Sequence, residues 1–263
     1  MKVIDLTHTI KEGMPVFPGT EPPKLDAAST FEKDGFRETL LTMYSHTGTH
    51  MDAPAHVRKN GITLDKFGAD KFVGKAIVID CNDLSEGDTI DISYINKYKG
   101  IIEDTEFVLF KTGWDRYWDT EKYYGKFPVI SEEVADYLIS SNKKGIGLDL
   151  ISIEDIESAD LPMHHKVLKN NLVIIENLCN LDQIGSDLFT FCSLPLKFIN
   201  SDGASVRAVA ILDRSKVYFK IFLFILKYTF SFYNINFYFT SSNAGINIGL
   251  PSPSIVHSNL YTG

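Results

Sequence analysis

Cysteine is scarce in this chain. Cys81, Cys179 and Cys192 are odd in number, widely spaced and form no CxxC pair. That excludes a disulfide framework and leads to the expectation of reduced thiols in a cytoplasmic protein. Positive charge is also short. Lys and Arg number 26 against 34 Asp and Glu, a formal charge of −8 with the seven histidines neutral. There is no basic stripe, so a nucleic-acid binder held by phosphate contacts is excluded. A mildly acidic surface serves solubility and says little about partners. The N-terminus lacks the apolar run of a signal peptide, because Asp5 interrupts it, and residues 3–7 alternate like a strand. There is no internal repeat. What remains is ordinary: 263 residues, 44% hydrophobic and 23% charged, enough for a sizeable core.

Residues 12–23 hold Pro15, Pro18, Pro22 and Pro23 with Gly13 and Gly19, a density that excludes helix and predicts an ordered loop. Residues 40–44 read as a strand feeding the histidine-rich stretch after it. Residues 76–80 and 107–110 are continuous apolar runs, typical of strands buried on both faces. Ser131 is a good N-cap, and Glu132 and Glu133 suit the positive end of the helix that follows. Residues 145–149 form a strand ending on Asp149, and Pro162 begins a helix of about two turns. Residues 172–175 form a strand followed by Glu176, and 205–212 form the last strand. This alternation predicts an α/β fold around a mixed sheet, as one domain.

After Asp213 the composition changes. Residues 217–239 are dense in Phe, Tyr, Ile and Asn and are broken by Lys220 and Lys227. About 20 apolar residues would span a bilayer. A lysine at its centre costs about 2.5–3.5 kcal/mol, so membrane spanning is not the expectation. Extra strands or an aggregation-prone extension fit the aromatic content better. Residues 243–263, rich in Ser, Asn, Gly and Pro, read as a flexible tail.

The chemistry concentrates in residues 46–56, His-Thr-Gly-Thr-His-Met-Asp-Ala-Pro-Ala-His. Histidine and aspartate are the usual nitrogen and oxygen ligands of zinc and manganese. In a straight strand His46 and His50 would lie about 13 Å apart, too far for one ion about 2 Å from each ring nitrogen. A helix would bring them together but aim Asp52 elsewhere, and Pro54 biases Ala53 away from helix. The chain therefore bends, and Gly48 is the residue that permits it. The local reading is a strand running into a turned loop. His46, His50 and Asp52 then hold an ion, and His56 is a fourth ligand, a general base or a structural residue. Three protein ligands leave room for a water, whose pKa the ion lowers while it polarises a carbonyl.

The pattern His-x-Gly-Thr-His-x-Asp-x-Pro-x-His resembles the signature of the cyclase family of metal-dependent hydrolases, which includes bacterial kynurenine formamidase and isatin hydrolase. Supporting stretches are Asp5-Leu6-Thr7-His8, Pro15-Val16-Phe17-Pro18-Gly19, Lys111-Thr112-Gly113-Trp114, Gly147-Leu148-Asp149 and Ile175-Glu176-Asn177-Leu178. The resemblance covers about residues 3–213. It implies a swivelling α/β/α domain over 1–213, with 214–263 as an atypical extension, and a homodimer or larger assembly. It also implies His46, His50 and Asp52 as ligands of a first ion, Asp52 bridging to a second, and His164 with Glu176 completing that second site. His165 is the competitor of His164. His56 resembles the catalytic acid/base, and the cofactor is one or two zinc ions, with manganese as the alternative.

Glu176 is supported separately, since it ends a buried strand where α/β active sites sit. Asp149 reads as a residue supporting the ligands from behind or as a structural one, and His8 as a packing residue. Phe17, Pro18 and Trp114 are candidates to line an aromatic substrate pocket, with core packing as their alternative. Ser205 stands where family members often carry proline, a departure expected to touch the last strand and not the metal site. The expected function is hydrolysis of a C–N bond in a small molecule, an aryl formamide such as N-formylkynurenine. A cyclic amide or ester such as isatin, or metal binding without catalysis, are the alternatives.

Overall fold

The computed structural model describes residues 1–213 and the strands Tyr238–Ser242 and Gly245–Gly249. Met1–Leu212 forms one compact unit. Twelve strands occur in it: β1 (Lys2–Asp5), β2 (Lys24–Ser29), β3 (Glu38–Thr42), β4 (His50–Asp52), β5 (Val73–Asp80), β6 (Thr89–Ile90), β7 (Phe107–Lys111), β8 (Val129–Ile130), β9 (Gly145–Leu148), β10 (Val173–Glu176), β11 (Phe189–Pro195) and β12 (Gly203–Leu212). The α-helices are α1 (Phe31–Asp34), α2 (Ile92–Asn96), α3 (Glu132–Ser140) and α4 (Pro162–Leu168).

Eight strands make one mixed sheet in the order β1-β12-β11-β5-β7-β9-β10-β4, and β12 also pairs with β4, so the sheet closes on itself. The middle, β5-β7-β9-β10, is parallel, and the other pairings are antiparallel. The alternation of side chains explains two separate cores. Ile77, Ile79, Val108, Phe110, Ile146 and Ile174 point to one face and pack with residues of α2, α3 and α4. Ala76, Val78, Phe107, Leu109, Val173 and Ile175 point to the other, against Phe189, Phe191, Ala208 and Ala210. Ser131 caps α3 as expected, its Oγ accepting from the Val134 N–H at 3.2 Å.

Among the described residues β2 and β3 pair only with each other, and both are exposed along almost their whole length. β3 ends at Thr42 and does not run into the histidine motif. The expected order is thus reversed: an irregular bend comes first, and the short strand β4 follows it.

Among the described residues no helix is long and apolar enough to cross a membrane. Most of 217–239, including the alternative of a membrane span, lies outside the described residues. Gly245–Gly249, inside the stretch read as a flexible tail, is a strand paired antiparallel with Tyr238–Ser242.

Candidate metal centre

β4 is three residues long and lies between β10 and β12. His50 and Asp52, two positions apart, project to the same side of it. Register does the rest. Glu176 of β10 stands opposite His50, and Gly203 of β12 stands opposite Asp52. Gly48 takes the left-handed conformation, φ 65°, and turns the chain so that His46 folds back over the strand. The Pro54–His56 turn returns His56 to the same place, and α4 supplies His164 from across the cavity.

The resulting cluster is tight. His46 Nδ1 lies 2.7 Å from Asp52 Oδ1, and His50 Nε2 lies 3.3 Å from the same oxygen. His164 Nε2 lies 3.7 Å from Asp52 Oδ2 and 3.4 Å from Glu176 Oε1. His50 Nε2 is 3.5 Å from Glu176 Oε2. Among the described residues the ligand atoms form three groups close enough to hold an ion: His46, His50 and Asp52; Asp52, His164 and Glu176, which shares Asp52 with the first; and His46, His56 and Asp202, which is less buried. His56 packs on His46 with ring centroids 4.0 Å apart, and lies 5.9 Å from the His164 ring.

Three observations fit a divalent ion. Asp52 Oδ2 is buried without a hydrogen-bond partner, and an unmet buried acceptor costs about 1–3 kcal/mol, more when charged. Each ligand histidine is tied through the ring nitrogen that faces away from the cluster: His46 Nε2 to Asp202 at 3.2 Å, His50 Nδ1 to the Gly48 carbonyl at 2.8 Å, and His164 Nδ1 to Glu154 at 2.6 Å. Such outer bonds are how metal-bound histidines are usually held. Finally, the donors are imidazole and carboxylate, which suit zinc or manganese.

Without an ion, protons take its part. Burial works against a charged imidazole at His46, but Asp52 and Asp202 outweigh it and raise the pKa to about 10. Burial is likewise overcome at His164, by Glu154, Glu176 and Asp52, again to about 10. Asp52 is held well below the usual carboxylate range, since His46 and His50 overcome the effect of its burial. A cation entering the first triad must therefore displace a proton from His46, and one entering the second a proton from His164. Its affinity is expected to rise with pH throughout the range below about 10. Calorimetry in buffers of different ionisation enthalpy should register about two protons released per loaded centre. Proton-free binding at pH 7 would contradict this account.

Residues 4–155 match the family described as "Putative cyclase". The chain belongs to the cyclase family. It is 31% identical over 211 residues to the kynurenine formamidase of Salinibacter ruber, spanning 80% of this chain and 97% of that one. A Bacillus stearothermophilus structure described as a "predicted metal-dependent hydrolase" is 29% identical with a TM-score of 0.65, over 80% of this chain and 97% of that one. Isatin hydrolase A from Labrenzia aggregata, bound to benzyl benzoate, has the same fold. Its TM-score is 0.73 at 24% identity, over 81% of this chain and 94% of that one.

The centre opens on a cavity of about 330 Å³. Phe17 lines it, together with Val16, Tyr44, Ile151 and Leu161. Pro18 does not line it and is exposed. Trp114 is not there either: it is 4% exposed, donates its indole N–H to the Tyr123 carbonyl and packs edge-on against Tyr117 and Phe127. Its indole was more valuable to the core, where ring area and N–H are both satisfied.

Asp149 is structural, accepting from the Thr112 hydroxyl and from the Thr112 and Gly113 N–H groups. His8 stacks on Trp118 at 3.8 Å. His164 is buried at the centre, whereas His165 is exposed. Ser205 departs from expectation: it stands opposite His50, and its hydroxyl donates to the Thr47 carbonyl, so it supports the motif's bend directly.

Sequence reasoning missed Asp202, Glu154 and Asn177. Asn177 donates its amide to the same Gly48 carbonyl that holds His50, and accepts from the Tyr123 hydroxyl. It follows Glu176 directly, which was the available signal. Gly203 was missed as well. A Cβ there would stand 2.4 Å from His46 Cε1. Gly203→Ala must push the His46 ring aside, and metal affinity is expected to fall about 10–100-fold. Equilibrium dialysis against the parent checks this, and unchanged affinity would show that His46 is not a ligand.

Proposed function

We propose that this cyclase is a metal-dependent amidohydrolase that cleaves the C–N bond of an aryl formamide, with N-formylkynurenine as the first candidate. The observation that carries the reading is the Asp52 carboxylate shared between two His/carboxylate triads, its Oδ2 without a hydrogen-bond partner, in the lining of a cavity that also holds His56. The name borne by the Salinibacter relative supports the substrate. His46, His50 and Asp52 would hold one ion, and Asp52, His164 and Glu176 a second. The chemistry such ions supply is polarisation of the carbonyl and a lowered pKa for water.

The remaining steps belong to the chain itself. Burial lowers the His56 pKa to about 4; Asp52 and Asp202 pull against it, and the charges of His46 and His164 add to it. The ring is thus neutral at pH 7 and free to accept a proton. His56 takes the proton of the attacking water and returns it to the leaving aryl nitrogen. Phe17, Ile151 and Leu161 give the aryl ring an apolar wall.

Zinc- or manganese-loaded protein should release formate from N-formylkynurenine, and chelation should abolish this. Turnover by the chelated protein would remove the metal from the mechanism. Hydrolysis of isatin but not of N-formylkynurenine would replace the substrate. The same reading takes the protein as a cytoplasmic homodimer. The three free cysteines support the first part. Exposed Leu25, Leu40 and Leu41 on β2 and β3 support the second, and light scattering of the full chain tests it.

A further inference from the structure

The segment that follows β9 touches two of the three ligands of the second triad, Glu176 and His164. The Ile153 N–H donates to Glu176 Oε1 at 2.8 Å. The next residue, Glu154, is buried, and its carboxylate makes four contacts. Oε1 lies 2.6 Å from His164 Nδ1 and accepts from the His164 backbone N–H at 3.0 Å. Oε2 accepts from the Met163 N–H and from the Ser158 hydroxyl, both at 3.2 Å. One carboxylate therefore holds the first turn of α4 and the ring that α4 carries.

The helix has no other means of doing this. Its N-cap, Leu161, has φ 44° and offers no side-chain acceptor. Glu154 fills that role from seven positions upstream. By accepting from Nδ1 it also fixes the tautomer, so that Nε2 is the nitrogen turned toward Asp52 and Glu176. The His46/His50/Asp52 triad has no contact with Glu154 and is held by Asp202 and Gly48 instead.

We propose that Glu154 is a positioning residue that governs ion affinity in the Asp52/His164/Glu176 triad and leaves the His46/His50/Asp52 triad unaffected. This rests on the metal-centre reading above. A residue that merely capped α4 would change stability without distinguishing the two triads.

The test is a cobalt(II) titration of the metal-free full-length protein, followed by calorimetry and absorption, for the parent, Glu154→Gln and Glu154→Asp. In Glu154→Gln the amide cannot accept from His164 Nδ1 and Met163 N–H together. One ion should bind as in the parent and the other about 10–100-fold more weakly. Glu154→Asp, which keeps the charge, should recover part of the loss. The imidazole ¹⁵N spectrum of the zinc-loaded parent should show a protonated Nδ1 on His164, with that signal displaced in Glu154→Gln.

The inference is overturned if both ions keep their affinity, if both weaken together, or if the parent takes up one ion only, since the Asp52/His164/Glu176 triad then has no affinity of its own for Glu154 to govern. A parent that binds no cobalt overturns the metal centre itself, which is a separate outcome. Glu154→Asp keeps the test decisive should Glu154→Gln fold poorly, since selective weakening of one ion is required of it too.

Discussion

His56→Gln is expected to lower kcat for the formamide by about 10²–10⁴-fold while bound metal stays at the parent level. His56 lies outside the two triads that share Asp52 and belongs to the less buried His46/His56/Asp202 group; its ring is tilted against His46 and lines the cavity. Its lowered pKa leaves it uncharged at neutral pH, the form a proton acceptor needs. Glutamine keeps a polar group of similar reach but cannot shuttle a proton. Stopped-flow turnover and elemental analysis of one preparation separate the two properties. Loss of metal in parallel with activity would make His56 a ligand, and retained turnover would remove it from the chemistry.

Asp52→Asn is expected to empty both halves of the centre and reduce hydrolysis to background. Asp52 is the residue common to the two triads, with Oδ1 facing His46 and His50 and Oδ2 facing His164. An amide offers one neutral oxygen where the carboxylate offers two charged ones. It also leaves His46 and His50 without their buried counter-charge. Glu176→Gln touches a single triad and should leave the other able to bind. Stoichiometry by elemental analysis after dialysis, compared across the two variants, is the measurement. Stoichiometric metal in Asp52→Asn would refute the shared-ligand arrangement.

The sequence made part of this site legible because its densest half is local. His46, His50, Asp52 and His56 lie within one bend, and the need to bend at Gly48 followed from strand and helix geometry alone. The choice between His164 and His165 was also available. His164 has buried Val167 and Leu168 at i+3 and i+4, while His165 has Leu168 at i+3 but exposed Lys169 at i+4. Trp114 misled, because an aromatic after a glycine looks the same whether it lines a pocket or fills a core. Glu154 and Asp202 gave no local sign: both are acids in irregular segments, and their partners lie on other elements.

By itself the sequence determined the ligand types, the bend that gathers the first of them, and the alternation of strands and helices that makes an α/β fold. Those are short-range properties, set by backbone sterics and by the spacing of apolar side chains. The tertiary structure decided what meets what. Sheet register places Glu176 opposite His50 and Gly203 opposite Asp52, though well over a hundred positions separate the members of each pair. A slip of one residue would turn the alternate side chains to the other face. Only the closed sheet excludes that slip, because it buries both faces at once.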